Sequence, residues 1–116
     1  MDLLRASVLY RESGGTPYTL VVLAGELDAT NSQQLRNLLD AEISAGLRTL
    51  IVELSGLKFI DSSSLQVLLR CSRMLGSQGG VLRLVRPVGS VARMLHFTRA
   101  DQLVRAYDNV EQAAAD

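Results

Sequence analysis

The segment FIDSSSL, residues 59–65, decides how this chain is organised, because a strand pattern ends in it and a helix pattern begins. Upstream, the run TLIVEL at 49–54 is apolar and β-prone, which is typical of a strand buried on both faces. Downstream, leucines recur at helical spacing as far as Gly79-Gly80, where a helix should end: Leu65, Leu68, Leu69 and Leu75. The segment is therefore a strand-to-helix junction with three serines at the start of the helix.

The same alternation of strand and helix extends in both directions from this junction. We predict strands at residues 6–11, 18–24, 49–54 and 81–85, and a short one near Leu103-Val104. We expect Gly25 to end the second strand and Ser55-Gly56 to form a turn after the third. We predict helices between Asp28 and Gly46, from the serines to Gly79-Gly80, from Pro87 through Leu95, and from about Asn109.

This order of elements predicts the fold class. Strands separated by helices imply parallel pairing, and the hairpin that leads the chain implies one antiparallel edge. The expected fold is α/β, with a mixed, mostly parallel sheet of about five strands and about four helices.

Length and charge narrow the classes of function. The chain has 116 residues, of which 47% are hydrophobic and 21% charged, so we expect one domain over residues 1–116. Its 12 basic residues balance its 12 acidic residues, which argues against direct binding of nucleic acid. The sequence shows neither a signal peptide nor an apolar run of membrane-spanning length, so we expect a cytoplasmic protein that does not bind membranes.

Two residue types that often carry chemistry occur once each. Cys71 is the only cysteine, so no intramolecular disulfide can form, and we expect no metal site and no cofactor. We expect Cys71 to be a buried thiol and His96 to be a structural histidine near a helix end. Because His96 is distant in sequence from the serines and no Gly-x-Ser-x-Gly motif is present, we expect no catalytic serine and no enzyme.

The serines at 62–64 have two interpretations. In the first, a serine or Asp61 simply caps the helix by accepting a free backbone N–H. In the second, one serine is phosphorylated, because three serines exceed what one cap needs and a phosphate there would meet free N–H groups at the positive end of the helix. The added charge would then change the surface offered to a partner.

Asp28 lies at the other strand-to-helix junction. It either caps the first helix, with Thr30 and Asn31 as rivals for that role, or shapes a partner-facing surface beside Ser62. For Asp61 the second interpretation is favoured by its position in the motif.

Three stretches resemble one known family. Residues 61–65, DSSSL, look like the Asp-Ser-Ser-Gly-Leu signature of STAS domains, the family of anti-sigma factor antagonists and sulfate-transporter tails. Residues 25–28, GELD, match the family's other recurring motif. Residues 50–57, LIVELSGL, resemble the strand before the signature, with Glu53 where Asp is usual. The resemblance covers nearly the whole chain, with a core from about residue 7 to 110.

The resemblance implies a phosphorylation switch. In family members of this length the first serine after the signature Asp is phosphorylated, which here is Ser62, with Ser63 as second choice. The implied partner is an anti-sigma factor that is itself a serine kinase with a histidine-kinase-like ATP-binding fold. The unmodified chain would bind this kinase and release a sigma factor, phosphorylation would block binding, and a metal-dependent serine phosphatase would reverse it. We expect a monomer or weak dimer.

The family's usual Gly after the two serines is Ser64 here, which bears on partner choice and adds a third candidate acceptor. The residues expected to contact the partner are Asp28, Asp61, Ser62, Ser63, Ser64 and Val67. The alternative is a STAS scaffold without a switch, such as an accessory subunit of a lipid-transport or stress-sensing complex.

Overall fold

Five strands form one mixed sheet in the computed structural model, which describes residues 3–116. The strands are β1 (Arg5–Ser13), β2 (Thr16–Leu27), β3 (Thr49–Ile60), β4 (Val81–Val85) and β5 (Ala106–Tyr107). The α-helices are α1 (Ser32–Ser44), α2 (Ser62–Ser77), α3 (Gly89–Phe97) and α4 (Val110–Ala115). Strands lie in the sheet in chain order; β1 pairs antiparallel with β2, and the other neighbours are parallel. The predicted fold class is confirmed.

The β1–β2 hairpin is closed by Gly14 and Gly15. Both have positive φ, 57° and 83°, which a two-residue turn matched to the strand twist requires. The turn fixes a regular register of consecutive pairs, from Ser13 opposite Thr16 to Arg5 opposite Ala24. β1 is therefore a straight edge strand without a bulge.

Two glycine positions were wrongly predicted to end strands. β2 continues past Gly25 to Leu27, and β3 continues past Ser55-Gly56 to Ile60. Gly25 has φ +94°, and a Cβ there would lie 2.1 Å from the Leu3 carbonyl oxygen, so glycine permits a close backbone approach. The β2–β3 register shifts between Val22 and Ala24, so Gly56 marks an irregularity inside the strand. Both strands thus extend to the junctions that carry Asp28 and Asp61.

Two further boundaries differ from prediction. Pro87 lies outside α3, which starts at Gly89 with Val88 in the N-cap position. The last strand is at 106–107 and not at Leu103-Val104, because a 3₁₀ turn at Ala100–Gln102 precedes it and Val104 is buried in the core. β5 instead pairs where Leu84 faces Ala106.

Helices cover the two faces of the sheet unequally. Alternate residues of the strands pack with α1, α2 and α3 in the main core, which includes Val21, Leu39, Val52, Leu68 and Val91. The opposite face packs against the short α4 in a smaller cluster of Leu20, Ile51, Val85 and Ala113. Within residues 3–116 no helix is both long and apolar enough to cross a membrane.

Candidate functional site

The ends of β2 and β3 lie side by side at one edge of the sheet. Leu27 faces Ile60, and the Asp61 backbone N–H donates to the Leu27 carbonyl at 3.1 Å. The two junctions that follow, Asp28 and Asp61-Ser62, are therefore neighbours. This edge, outside the carboxyl ends of parallel strands, is where open α/β sheets commonly bind ligands and partners.

Asp61 caps helix α2. Its Oδ1 accepts the backbone N–H of Ser64 at 2.8 Å and the hydroxyl of Ser63 at 3.0 Å. The backbone N–H of Ala29, which belongs to the other junction, also helps to lower the pKa of this carboxyl. Burial alone raises the pKa of this carboxyl, but the hydrogen bonds outweigh burial and hold the pKa of Asp61 below its ordinary value.

The three serines that follow have different environments. Ser62 is exposed, and its hydroxyl makes no hydrogen bond to any other residue of the described range 3–116. Ser63 is exposed but donates to Asp61. Ser64 is fully buried; its hydroxyl is close enough to lower the pKa of Asp61 but makes no hydrogen bond of ordinary geometry. Only Ser62 combines an exposed position with an unengaged hydroxyl.

The first turn of α2 can also accommodate an anion. Its first N–H groups have no partner inside the helix, and the Asp61 side chain satisfies only that of Ser64. In the described part of the chain, the N–H groups of Ser62 and Ser63 have no backbone acceptor outside α2. They lie at the positive end of a 16-residue helix, where a phosphate on Ser62 would be favoured.

Asp28 organises a turn and does not cap a helix. Its Oδ1 accepts the backbone N–H of Thr30 at 2.9 Å and the Thr30 hydroxyl at 2.6 Å. Asn31 occupies the N-cap position of α1 without a side-chain cap bond. Its Oδ1 accepts the Asp28 N–H, and its Nδ2 donates to the Glu26 carbonyl. The capping interpretation is therefore wrong for Asp28 and Thr30, and Asn31 holds the N-cap position without a side-chain cap bond.

Two apolar side chains at this edge were missed in the sequence. Phe59, three residues before Ser62, is 39% exposed, and Val88, at the start of α3, is 48% exposed. The Ser90 hydroxyl donates to the Lys58 carbonyl at 2.7 Å, which holds the start of α3 beside the end of β3. A Phe next to the serine motif was the available signal, because an exposed aromatic beside a polar motif is typical of partner surfaces.

An ion pair also anchors the loop before α3. The Arg86 guanidinium lies 3.0 Å from the Glu53 carboxylate, which also accepts the Ser55 N–H at 2.7 Å. Burial raises the pKa of Glu53, but the bonds from Ser55 and Arg86 outweigh it and leave the pKa lowered. Arg86 has φ 50° before a proline, a strained conformation that this pair helps to hold.

No cluster of three or more His, Cys, Asp or Glu side chains suited to a metal ion is found within residues 3–116. Cys71 is buried as predicted, and burial raises the pKa of its thiol to about 11. His96 lies in the last turn of α3, as expected; it is exposed, and its Nδ1 is 3.4 Å from the Asp101 carboxylate.

Comparison with known proteins identifies the family of this chain. The family model for the STAS domain matches residues 8–113. The chain belongs to the STAS domain family. A proposed anti-sigma factor antagonist from Thermotoga maritima is 32% identical over 89 residues, which cover 76% of this chain and 79% of that protein.

Solved structures share the fold of this STAS domain. An anti-sigma factor antagonist from Mycobacterium paratuberculosis superposes with a TM-score of 0.80 at 22% identity, covering 96% of this chain and 92% of that one. The phosphorylated form of the Bacillus cell fate determinant SpoIIAA gives a TM-score of 0.70 at 24% identity, covering 97% of each chain.

Two of the residues expected to contact the partner, Val67 and Ser64, are partly or fully buried. Val67 is half-buried and lies one turn after Ser63 on the same face of α2. Ser64 points into the protein, so it can meet a partner only if the first turn of α2 opens. A spacing signal predicts this burial, because Ser64 continues the stripe of Leu68, Cys71 and Leu75.

Proposed function

We propose that this STAS domain is an anti-sigma factor antagonist and that phosphorylation of Ser62 switches it off. The observation that carries the proposal is the difference among the three serines: only Ser62 is both exposed and unengaged. The relative from Thermotoga maritima, itself a proposed antagonist, supports the class of function. The phosphorylated structure of SpoIIAA supports the compatibility of this fold with a covalent phosphate.

The physical effect of the phosphate follows from its position. A phosphate on Ser62 adds close to two negative charges beside free N–H groups, so α2 tolerates it. The same charges stand on a surface bordered by exposed Phe59 and half-buried Val67. A partner that covers this surface would have to desolvate the phosphate, and binding would be lost while the fold remains intact.

The proposed partner is an anti-sigma factor that is also a serine kinase. The unmodified chain binds it and frees a sigma factor; the kinase phosphorylates Ser62 with ATP, and a serine phosphatase restores the binding form. This chain needs no catalytic group of its own, and its one histidine, His96, contacts Asp101 and not a serine. The Phe59, Val88 and Asp61 side chains would border the interface.

A labelling assay tests the acceptor. Wild type, Ser62→Ala and Ser63→Ala would be incubated with radiolabelled ATP and each serine-kinase anti-sigma factor of the source organism in turn. We expect one kinase to label wild type and Ser63→Ala but not Ser62→Ala. Equal labelling of Ser62→Ala would contradict the assigned site, and absence of labelling with every kinase would favour a STAS scaffold without a switch.

A binding assay then tests the switch. We expect Ser62→Asp to weaken binding to that kinase at least about a hundredfold, because a charge is buried in the interface. Ser44→Asp adds the same charge at an exposed position on α1 and serves as the matched control. Equal affinity of Ser62→Asp and Ser44→Asp would contradict the proposal.

A further inference from the structure

We propose that the outer edge of β1 pairs antiparallel with β1 of a second copy, joining the two sheets across a two-fold axis at Leu9. This goes beyond the proposed function, because it does not depend on Ser62 or on a kinase.

The first observation is that the outer edge of β1 is long, regular and unpaired within residues 3–116. β1 is the first strand in the sheet, and within residues 3–116 no strand pairs with its outer side. It spans 9 residues and pairs with β2 without a bulge. Most exposed edges are short, bulged or charged throughout, because a long regular edge is a template for another strand. Here the charges, Arg5, Arg11 and Glu12, flank an uncharged centre.

The turn determines which backbone groups point outward. In a two-residue hairpin the pair next to the turn, Ser13 and Thr16, exchanges hydrogen bonds. Every second residue of β1 therefore forms backbone hydrogen bonds with β2, and the backbone N–H and C=O groups of the residues between them point away from β2. Pro17, opposite Glu12, falls in a pair without hydrogen bonds, as its missing N–H requires. The outward-pointing residues are Ala6, Val8, Tyr10 and Glu12.

These groups restrict how two copies can pair. Outward-pointing residues must face each other, so the axis can lie at Val8, Leu9 or Tyr10. An axis at Val8 places Arg5 opposite Arg11 of the second copy, twice, which is repulsive. An axis at Tyr10 leaves Arg5 and Ala6 without a partner strand.

The axis at Leu9 gives the largest number of outward-pointing backbone groups a hydrogen-bond partner. All four outward-pointing residues then pair, forming about eight new backbone hydrogen bonds. Leu9 lies opposite itself, Val8 opposite Tyr10, and Ser7 opposite Arg11, so no like charges face each other directly. Leu9 is 37% exposed and Tyr10 is 73% exposed in the single chain, and pairing covers part of both.

The pairing also leaves the candidate site free. Because the second copy is inverted, the two Ser62 edges would lie at opposite ends of the joined sheet. One dimer could therefore hold two partners without contact between them.

Site-specific crosslinking tests the register. In the proposed pairing the two Leu9 Cβ atoms are about 5 Å apart, close enough for a disulfide after a small adjustment. We expect Leu9→Cys to form a covalent dimer under mild oxidation. Ser7→Cys and Arg11→Cys should each fail alone but crosslink when mixed. The natural thiol of Cys71 will not compete, because it is buried and its pKa is raised to about 11. Equal crosslinking of all three single variants, or none of Leu9→Cys, would overturn the register.

Sedimentation equilibrium tests the association without crosslinks. Ser7→Arg faces Arg11 of the second copy twice and should raise the dimer Kd about tenfold, whereas Ser7→Glu should lower it by a similar factor. Ser7 is exposed, so both variants should melt like wild type. A wild-type chain that stays monomeric up to about millimolar concentration, a range in which weak dimers form, would overturn the proposal. Equal shifts of both variants in the same direction would do so too.

Discussion

The two strand-to-helix junctions at the carboxyl edge of the sheet use the same residue type for different purposes. Asp28 binds Thr30 two residues later and closes a tight turn, so α1 begins without a side-chain cap. Asp61 binds Ser64 three residues later and caps α2 directly. The Ala29 N–H of the first junction also helps to lower the pKa of Asp61, so the two junctions influence each other.

This difference helps to explain why the exposed serine with an unengaged hydroxyl lies at the second junction. Asp61 engages Ser63 and the backbone of Ser64, and it leaves the Ser62 hydroxyl and two backbone N–H groups free. At the first junction the Thr30 hydroxyl is bound by Asp28, and Ser32, at the start of α1, is half-buried. A phosphate is therefore expected at the second junction and not at the first.

The largest expected effect comes from a substitution at Gly25 in β2, shortly before the Asp28 junction. Gly25→Ala should lower the free energy of unfolding by about 3 kcal/mol or more, because its Cβ would meet the Leu3 carbonyl at 2.1 Å and the residue would keep a positive φ. Urea unfolding measures this. Gly76→Ala, where a Cβ meets no atom within 4 Å, is the control and should not destabilise. Equal stability of both variants would contradict the close approach.

The next effect compares the two aspartates directly. Asp61→Ala should cost about 1–2 kcal/mol of unfolding free energy, because the helix cap and the bond from the Ser63 hydroxyl are both lost. Asp28→Ala should cost about 0.5–1 kcal/mol, because only a local turn is lost. Chemical denaturation of both variants checks the order. If Asp28→Ala were the more destabilising, the assigned roles would be reversed.

The lowered pKa of Asp61 predicts how pH acts on the second junction. A carboxyl whose pKa is lower in the folded state stabilises the fold above its unfolded value, close to 3.8, and this contribution fades as pH falls through the folded pKa. Asp61→Asn keeps a capping oxygen but cannot ionise. The stability difference between wild type and Asp61→Asn should therefore shrink below about pH 4. A difference that stays constant down to about pH 2 would show that the charge contributes nothing.

The smallest effect separates the serines. Ser64→Ala should raise the free energy of unfolding by about 1 kcal/mol, because it removes a buried hydroxyl without a normal hydrogen bond. Ser62→Ala should change it by less than about 0.5 kcal/mol, because that hydroxyl is exposed and unengaged. Thermal melts of the two variants measure this. A destabilised Ser64→Ala would mean that its hydroxyl has a bonded partner in solution.

The spacing of apolar residues along the sequence was enough to predict most of the fold. Leucine spacing located α1 and α2, because these helices bury one continuous face, and the apolar runs located β2, β3 and β4, because these strands are buried on both faces. The errors fell at Gly25 and Gly56, where glycine serves a backbone contact or a register shift that only the folded sheet reveals. The short β5 was misplaced because a two-residue strand carries too little period to recognise.

The candidate site was predictable in part. The motif located Ser62 and Asp61, but the sequence alone left the capping role of Asp28 open, because three polar residues compete there and hydrogen-bond geometry decides between them. The effect of the Ala29 N–H on the pKa of Asp61 joins residues distant in the chain, so no local pattern predicts it.

Phosphopeptide mapping of the protein from its native cells tests the central claim most directly. Trypsin should release residues 59–70, between Lys58 and Arg70, with all three serines in one peptide. Fragmentation by electron transfer then assigns the phosphate to a single residue. The account predicts phosphate on Ser62, in a fraction that changes with growth state, and none on buried Ser64. Phosphate confined to Ser63 or Ser64, or a fully covered peptide without modification under every condition, would contradict it.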